Sequence, residues 1–214
     1  MPQIYSINNK LFTLGVWEIT ETEEQLLNGL FLTENENNIL KKIKPPLKRK
    51  QWLSYRKLIN NILRNINYKG IFYKDSGKPF LIDLPYNISV SHTENYSAAI
   101  ISDEIAVGID IEPIKDKILR VEKKFLSDFE IFLLPEQNRN KALHIIWGAK
   151  EAVYKLKEEN EIIFAEDLQI QSISDKEKDV LKCIYQKNNK KETYLIHYEV
   201  FKHLMLVYAM QESF

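Results

Sequence analysis

The spacing of hydrophobic residues predicts that the first half of the chain runs from a strand through helices into a sheet. The run LFTLGVWEI at residues 11–19 predicts a strand, and TETEEQLLNGLF after it predicts a helix capped by Thr20 or Thr22. PPLKRKQWLSYRKLINNILRNI begins with prolines and then places apolar residues three and four apart, which predicts a long amphipathic helix. Beyond Gly70, GIFYKDSGKPFLIDL predicts a hairpin that turns at residues 75–77, and NISVSHT, YSAAIIS and IAVGIDIEP predict three more strands.

The second half repeats this order in outline. ILRVEKKFLSDFEIFLL predicts a helix, and NRNKALHIIWGAKEAVYKLK predicts a second long helix with one apolar side. EDLQIQSIS, DVLKCIYQ, ETYLIHYEV and LMLVYAM then predict strands. Because helix-then-sheet occurs twice, we predict an α+β fold of two similar α/β halves that form an intramolecular pseudo-dimer. The expected boundaries are residues 1–103 for the N-terminal half and 104–214 for the C-terminal half, without any visible residue-level repeat.

The composition is that of a protein with a substantial core. The 214 residues are 44% hydrophobic and include 11 Tyr and 10 Phe, which excludes a disordered chain. The apolar runs are too short for a transmembrane helix, and MPQIYSINNK lacks the features of a signal peptide. Cys183 has no second cysteine to pair with and lies in an apolar alternation, so we predict a small core residue. We therefore expect a cytoplasmic protein with no membrane partner.

Two acids interrupt the apolar strand VGIDIEP. Residues two apart share one face of a strand, so Asp110 and Glu112 should lie on the face of Gly108, with Val107, Ile109 and Ile111 pointing to the core. Such a pair most often belongs to a solvated strand face; a bound cation is the alternative. A glycine in a strand marks close approach by a ligand or by backbone. If a cation binds, oxygen ligands favour Mg²⁺.

A third acid lies in the segment WGAKEAVYK. Glu151 and Lys155 stand four residues apart on one helical face. An exposed ion pair that stabilises the helix is the simpler interpretation. The alternative is functional, because the pair would bring a third carboxylate to a metal and an ammonium to a phosphate.

The two acidic segments occur in a recognisable order. VGIDIE followed after about 35 residues by WGAKEAVYKL resembles the paired signature of the 4′-phosphopantetheinyl transferases, especially the long type that includes the surfactin-synthetase-activating enzymes. SGKPFL and ISVSHT stand where that family has its GKP and SHS/SHT elements, so the resemblance covers residues from about 49 to 156. The chain length suits the monomeric two-half type, with coenzyme A between the halves, rather than the short trimeric form.

The resemblance implies a Mg²⁺-dependent holo-[acyl-carrier-protein] synthase. Such an enzyme moves 4′-phosphopantetheine from coenzyme A to a serine of an acyl or peptidyl carrier protein and releases adenosine 3′,5′-bisphosphate. By motif match, Asp110, Glu112 and Glu151 would hold Mg²⁺, and Lys155 would reach the pyrophosphate. Catalysis of phosphoryl transfer is mostly positioning and charge neutralisation, which these residue types can supply.

The same resemblance implies further roles. Arg56, Lys78, Ser91 and His92 match family positions that contact the phosphates or the nucleotide of coenzyme A, although Arg56 would also suit a solvated helix face. Glu130 falls near the family's proposed base for the carrier serine, with a surface helical acid as the alternative.

Position 148 departs from the family pattern. Gly148 stands where the family often has Ser, Cys or Thr. Glycine lowers helix propensity by up to about 1 kcal/mol, and we expect it to touch none of the proposed ligands. The change should therefore affect local rigidity rather than chemistry.

Two other functions compete with the transferase. A degenerate relative could grip coenzyme A or a carrier protein without turnover, but the presence of all three acids and Lys155 argues against lost activity. The basic stretch KKIKPPLKRK at residues 41–50 could bind nucleic acid, but its spacing is irregular and the formal net charge is zero. We expect coenzyme A and an apo-carrier protein as partners, and no nucleic acid.

Overall fold

The structure is a computed structural model that describes residues 2–64, 66, 68–159 and 161–212. Its contacts divide the chain into two compact units: unit 1 ends at Ile105 and unit 2 begins at Ala106. Each unit combines an antiparallel sheet with one long helix, so the predicted α+β class is confirmed.

Unit 1 is a sheet covered by the longest of its described helices. Its described residues form six strands in the order β1-β2-β6-β5-β4-β3. The strands are β1 (Gln3–Asn8), β2 (Thr13–Glu18), β3 (Ile71–Tyr73), β4 (Pro79–Leu81), β5 (Asn87–Thr93) and β6 (Tyr96–Ser102). The helices are α1 (Glu23–Leu27), α2 (Glu34–Lys42) and α3 (Pro46–Ile62). The apolar side of α3 packs on β2 and β6, where burial of each large aliphatic side chain contributes about 1.5–3 kcal/mol.

Sequence patterns predicted most of unit 1. The strand, the long helix, the hairpin with its turn and the later strands are confirmed, and Thr22 caps α1 through a capping box. Two elements, β1 and α2, were not predicted. The sequence of α2, ENENNILKK, is too polar to show a clear apolar face, yet Thr33 and Glu36 close a capping box at its start.

Unit 2 has one sheet with a long helix on one face. Its described residues form five strands in the order β7-β11-β10-β9-β8. The strands are β7 (Val107–Pro113), β8 (Leu168–Ile170), β9 (Lys178–Lys187), β10 (Lys190–Phe201) and β11 (Leu204–Gln211). The helices are α4 (Asp128–Leu133), α5 (Arg139–Leu156) and α6 (Phe164–Asp167), and α5 packs on β7 and β11.

One predicted helix of unit 2 is wrong as a continuous element. The segment ILRVEKKFLSDFEIFLL contains the end of one short 3₁₀ turn, Asp116–Arg120, all of a second, Glu122–Lys124, and then α4. Ser127 breaks the helix because its backbone is extended and its hydroxyl accepts a hydrogen bond from the backbone N–H of Glu130. This cap begins a new helix, whereas the apolar spacing alone predicted one continuous helix.

The two sheets share one strand order. In unit 1, β2 is followed along the sheet by β6, β5, β4 and β3, and in unit 2, β7 is followed by β11, β10, β9 and β8. In each case the first strand precedes the long helix in the chain and the other four follow it. The additional strand of unit 1 is β1, which pairs with the outer side of β2.

Two further expectations from composition can be compared with the structure. Cys183 is a free thiol, fully buried in β9, and burial raises its pKa to about 12, which confirms a core role. Among the helices that the structure describes, none has the length and apolar character to cross a membrane.

Glycine permits close approach of the long helix to the first strand in both units. A Cβ added at Gly15 of β2 would lie 2.8 Å from the Leu58 Cδ1 atom of α3. A Cβ added at Gly108 of β7 would lie 1.9 Å from the backbone oxygen of Ala152 in α5. The helix backbone is thus the neighbour that requires glycine in β7, whereas in β2 the neighbour is the end of a flexible side chain.

These contacts predict unequal effects of one substitution. Gly108→Ala should lower the free energy of unfolding by about 3 kcal/mol or more, because backbone must move to admit the new methyl group. Gly15→Ala should cost about 1 kcal/mol, because Leu58 can change rotamer. Urea unfolding of the two variants measures the difference. Equal losses would contradict the close approach of α5 to β7.

Candidate active site

The acidic face of β7 lies under α5. A Cβ on Gly108 would meet α5 backbone, and a Cβ on Gly148 of α5 would lie 3.9 Å from Asp110 Oδ2. The expectation that Gly148 stands apart from every proposed ligand is therefore wrong. Glu112 follows Asp110 by two residues and shares its face by strand alternation. The interpretation of the acidic pair as a solvated strand face is also wrong, because α5 packs on the face of β7 that bears the acids.

Asp110 and Lys155 form a direct ion pair between β7 and α5. Lys155 Nζ donates to Asp110 Oδ1 at 2.6 Å. The carboxylate side chain is 4% exposed and the lysine side chain 26% exposed, so water screens the pair only from the lysine side. The sequence predicted Lys155 beside Glu151; the structure also joins Lys155 to the acid of the strand.

Electrostatic coupling brings Glu151 into the same group. Burial, followed by the Asp110 carboxylate, raises the pKa of Glu151, while the Lys155 ammonium lowers it and Glu112 adds a smaller increase; together these effects place the pKa at about 7. Three carboxylates and one ammonium therefore act on one another at this contact between β7 and α5. Like charges that are held together in this way favour either a proton or a cation.

The donor chemistry suits a hard divalent ion, although the side chains do not yet converge on one point. Within the described parts of the chain, no three His, Cys, Asp or Glu side chains are gathered closely enough to define a metal site. Asp110, Glu112 and Glu151 supply only oxygen donors, which Mg²⁺ prefers. After the larger effect of burial, the Asp110 and Glu112 carboxylates also raise the pKa of Glu151, and a divalent cation would relieve that repulsion. The set fits Mg²⁺ in chemistry and would need side-chain adjustment in geometry.

A cavity of about 450 Å³ opens beside Glu112. Trp147 of α5 and the segment that follows β7 contribute to its wall, and Lys117 and Arg120 add positive charge; the other lining residues are Pro113, Ile118, Val121 and His144. His144 Nδ1 donates to the Asn140 carbonyl at 2.9 Å, and its Nε2 accepts from the Lys115 backbone N–H at 3.2 Å. Burial lowers the pKa of His144, so this side chain holds the cavity wall as a neutral group.

Glu130 lies in the interior of unit 2. Its side chain is fully buried, so the alternative of a surface acid is wrong. Glu130 Oε2 accepts from Lys150 Nζ at 2.6 Å, and Oε1 accepts from the Ile170 backbone N–H at 2.8 Å. Burial lowers the pKa of Lys150, and the Glu130 carboxylate opposes that shift. The general-base role of Glu130 stays a prediction, and these contacts do not favour it.

Arg56 is likewise an interior residue, so its alternative as a solvated helix position is wrong. It is 1% exposed, pairs with Glu36 at 3.0 Å, and stacks its guanidinium 3.2 Å from the centre of the Trp52 ring. It also borders a cavity of about 110 Å³, and its Nη2 finds no hydrogen-bond partner among the described residues. Contact of Arg56 with the phosphates or the nucleotide of coenzyme A remains a prediction.

The other predicted coenzyme A contacts lie on strands and turns of unit 1. Lys78 follows the hairpin turn between β3 and β4 and is partly exposed. Ser91 and His92 are neighbours on β5 and lie on opposite faces of the sheet: Ser91 is buried and His92 is exposed. The structure does not bring these two side chains to one face, and their contacts with coenzyme A remain predictions.

Sequence reasoning missed Lys150 and Glu36 as structural centres. A signal for their clusters was present, since TENE at residues 33–36 and SDFE at residues 127–130 both fit the capping-box pattern. The partners Arg56 and Lys150 come from distant helix positions, so only the three-dimensional structure could assign the pairs.

Comparison with known proteins finds a family match within unit 2. Residues 106–209 match the model of the 4′-phosphopantetheinyl transferase superfamily, just under half of the 214 residues. This range contains β7 and α5 with Asp110, Glu112, Glu151 and Lys155. The resemblance that the two acidic motifs indicated is therefore confirmed.

Two relatives illustrate the match. The 4′-phosphopantetheinyl transferase AcpT of Escherichia coli (strain K12) is 32% identical over 118 residues, 50% of this chain and 57% of that protein. The 4′-phosphopantetheinyl transferase gsp of Aneurinibacillus migulanus is 29% identical over 107 residues, 48% of this chain and 44% of that protein. The chain thus spans about half the length of the curated relatives it matches.

The raised pKa of Glu151 predicts how stability depends on pH. The folded protein holds this proton more tightly than the unfolded chain, so Glu151 favours folding below its ordinary pKa of 4.5 and loses that contribution as pH rises to about 7. Without Mg²⁺, Glu151→Gln should therefore become more stable relative to the parent protein across this interval, by about 2–3 kcal/mol. Urea unfolding at several pH values measures the difference.

An exposed acid provides the control for this experiment. Glu24→Gln removes an exposed carboxylate of α1 in unit 1. Its stability should change in parallel with that of the parent protein. A pH-independent gap between Glu151→Gln and the parent would contradict the raised pKa.

Proposed function

We propose that the protein transfers the 4′-phosphopantetheine group of coenzyme A to a serine of an acyl or peptidyl carrier protein, releasing adenosine 3′,5′-bisphosphate. The observation that carries the proposal is the coupled group of Asp110, Glu112, Glu151 and Lys155 inside the range that matches the transferase family. The names of AcpT and gsp support the same reaction.

The carboxylates have a clear role in this proposal. Asp110 and Glu112 from β7 and Glu151 from α5 would hold Mg²⁺. When bound, the ion would neutralise charge on the pyrophosphate of coenzyme A. Glu151 must be deprotonated to act as a ligand, so its pKa of about 7 ties the affinity for Mg²⁺ to pH near neutrality.

Lys155 would act on the leaving group. Its ammonium contacts Asp110 at 2.6 Å and retains some exposure, so it can approach an anionic substrate without leaving the acidic group. Negative charge grows on the leaving phosphate as the bond to phosphorus breaks. A fixed ammonium stabilises that charge more in the transition state than in the bound substrate.

The remaining expectations complete the proposal. Arg56, Lys78, Ser91 and His92 of unit 1 would contact coenzyme A, with Arg56 contributing its Nη2. We further propose a cytoplasmic monomer whose two halves form the intramolecular pseudo-dimer, with no nucleic-acid or membrane partner. Light scattering tests the monomer, and an obligate trimer would contradict it.

The decisive experiment follows transfer of radiolabelled phosphopantetheine from coenzyme A to a panel of apo-carriers. Glu151→Gln should lower Mg²⁺-dependent transfer by about two to three orders of magnitude while the fold survives. Glu166→Gln, which removes an exposed acid of α6, is the matched control and should retain transfer. Coenzyme A binding without transfer to any carrier would support the degenerate binding module instead.

Lys155 gives a separate kinetic prediction. Lys155→Ala should lower kcat by about two orders of magnitude and change coenzyme A affinity less, because its ammonium acts mainly on the leaving charge. Lys182→Ala is the control, since it removes an exposed Lys–Glu pair that contributes about 0–1 kcal/mol. A kcat within about threefold of the parent value would assign Lys155 to helix stability alone.

A further inference from the structure

A buried charge cluster joins three elements of unit 2. Glu130 accepts hydrogen bonds from the backbone and hydroxyl of Ser127 at the start of α4, from Lys150 of α5, and from the backbone N–H of Ile170 in the edge strand β8. Lys150 Nζ also donates to the carbonyls of Phe125 and Phe164 at 2.7 and 2.8 Å. All three N–H donors of the ammonium are therefore used.

Unit 1 contains the same cluster. Glu36 accepts from the backbone and hydroxyl of Thr33 at the start of α2, from Arg56 Nε of α3, and from the backbone N–H of Ile71 in the edge strand β3. Its side chain is 2% exposed, as is that of Arg56. Each carboxylate thus joins a helix start, the long helix and an edge strand.

The correspondence holds residue by residue. Ser127, Glu130 and Lys150 each lie 94 positions after Thr33, Glu36 and Arg56, respectively. In both units twenty positions separate the acid from its cation. The cluster is therefore a shared structural feature of the two units, and it occurs in unit 1 without the acidic group of β7 and α5.

We propose that Glu130 and Lys150 form a positioning clamp for α5, and that Glu130 acts through this clamp rather than as the base for the carrier serine. The proposal rests on the transferase function stated above. Lys150 directly precedes Glu151 in α5, so fixing its side chain sets the rotation of the helix about its axis. That rotation decides where Glu151 and Lys155 stand relative to Asp110.

The geometry disfavours a base at Glu130. A general base must reach the proton it removes, directly or through one water. Glu130 is 0% exposed, and both of its oxygens already accept hydrogen bonds from the protein. Its counterpart Glu36 has the same kind of partners and lies in a different unit, which indicates that the arrangement serves the fold.

Matched variants test the clamp. Glu130→Gln and Glu36→Gln should each speed amide hydrogen exchange locally by at least about tenfold, since opening of a region controls exchange. The affected segments should be α4, β8 and α5 in the first variant and α2, β3 and α3 in the second. Lys150→Met, which keeps a long side chain but removes its charge, should speed exchange in the same segments as Glu130→Gln.

The effect of Mg²⁺ on the unfolding midpoint tests whether the clamp positions Glu151 relative to Asp110. A ligand that binds only the folded state raises the unfolding midpoint. Glu130→Gln should lose at least about half of the Mg²⁺-dependent rise and need several-fold more Mg²⁺ for half-maximal transfer. At saturating Mg²⁺, kcat should stay within about tenfold of the parent and the pH profile should keep its shape. Glu36→Gln should keep the Mg²⁺-dependent rise.

Other outcomes overturn the clamp in distinct ways. A base at Glu130 would appear as a loss of kcat of about 10²–10⁴ at saturating Mg²⁺, with one limb of the pH profile removed. An unchanged Mg²⁺ response in Glu130→Gln would leave the pair a scaffold without a positioning role. Absence of transfer by the parent protein would contradict the proposed function alone, because exchange and Mg²⁺-dependent unfolding still measure the clamp.

Discussion

The contact between the backbone of α5 and the strand β7 is the constraint on which unit 2 depends. A methyl group at Gly108 would come within 1.9 Å of the Ala152 backbone oxygen, so the helix and strand approach as closely as their backbones allow. Gly148 permits a similarly close approach of α5 to the neighbouring strand β11, since a methyl group there would lie 2.6 Å from Val207 Cγ2. This approach brings carboxylates from two elements into electrostatic contact. The same two glycines therefore serve packing and chemistry at once.

Equivalent positions in unit 1 carry different chemistry. Two residues after Gly15 the strand has Trp17, where unit 2 has Asp110 two residues after Gly108. Directly after Arg56 the long helix has Lys57, where Glu151 follows Lys150 in unit 2. Trp17 is buried in the core of unit 1, and Lys57 donates to the Asn28 carbonyl. The two units thus share one strand order, but the contact between the long helix and the sheet is uncharged at these positions of the strand in unit 1 and contains the acidic group in unit 2.

Local sequence patterns predicted the long helices, most strands and the four charged residues of the acidic group, because these signals lie within short segments. They failed where a polar residue overrode apolar spacing, as Ser127 does by starting a new helix. They left Glu130 as either a base for the carrier serine or a surface helical acid, and neither alternative placed it in the interior. Its burial depends on Lys150 and Ile170, which are 20 and 40 positions away, and no local pattern contains that information.

The two buried clamps differ in their cation, and that difference sets how each can change. Arg56 presents a planar guanidinium that stacks on Trp52, while Lys150 is a compact ammonium whose three donors bond to three oxygens. In evolutionary terms, the lysine is the more restrictive choice, since a larger head group must displace three elements together. In unit 1, substitutions near Arg56 can be accommodated by small shifts of the guanidinium over the Trp52 ring. In unit 2, a substitution at Lys150 requires matching substitutions at the groups that it contacts.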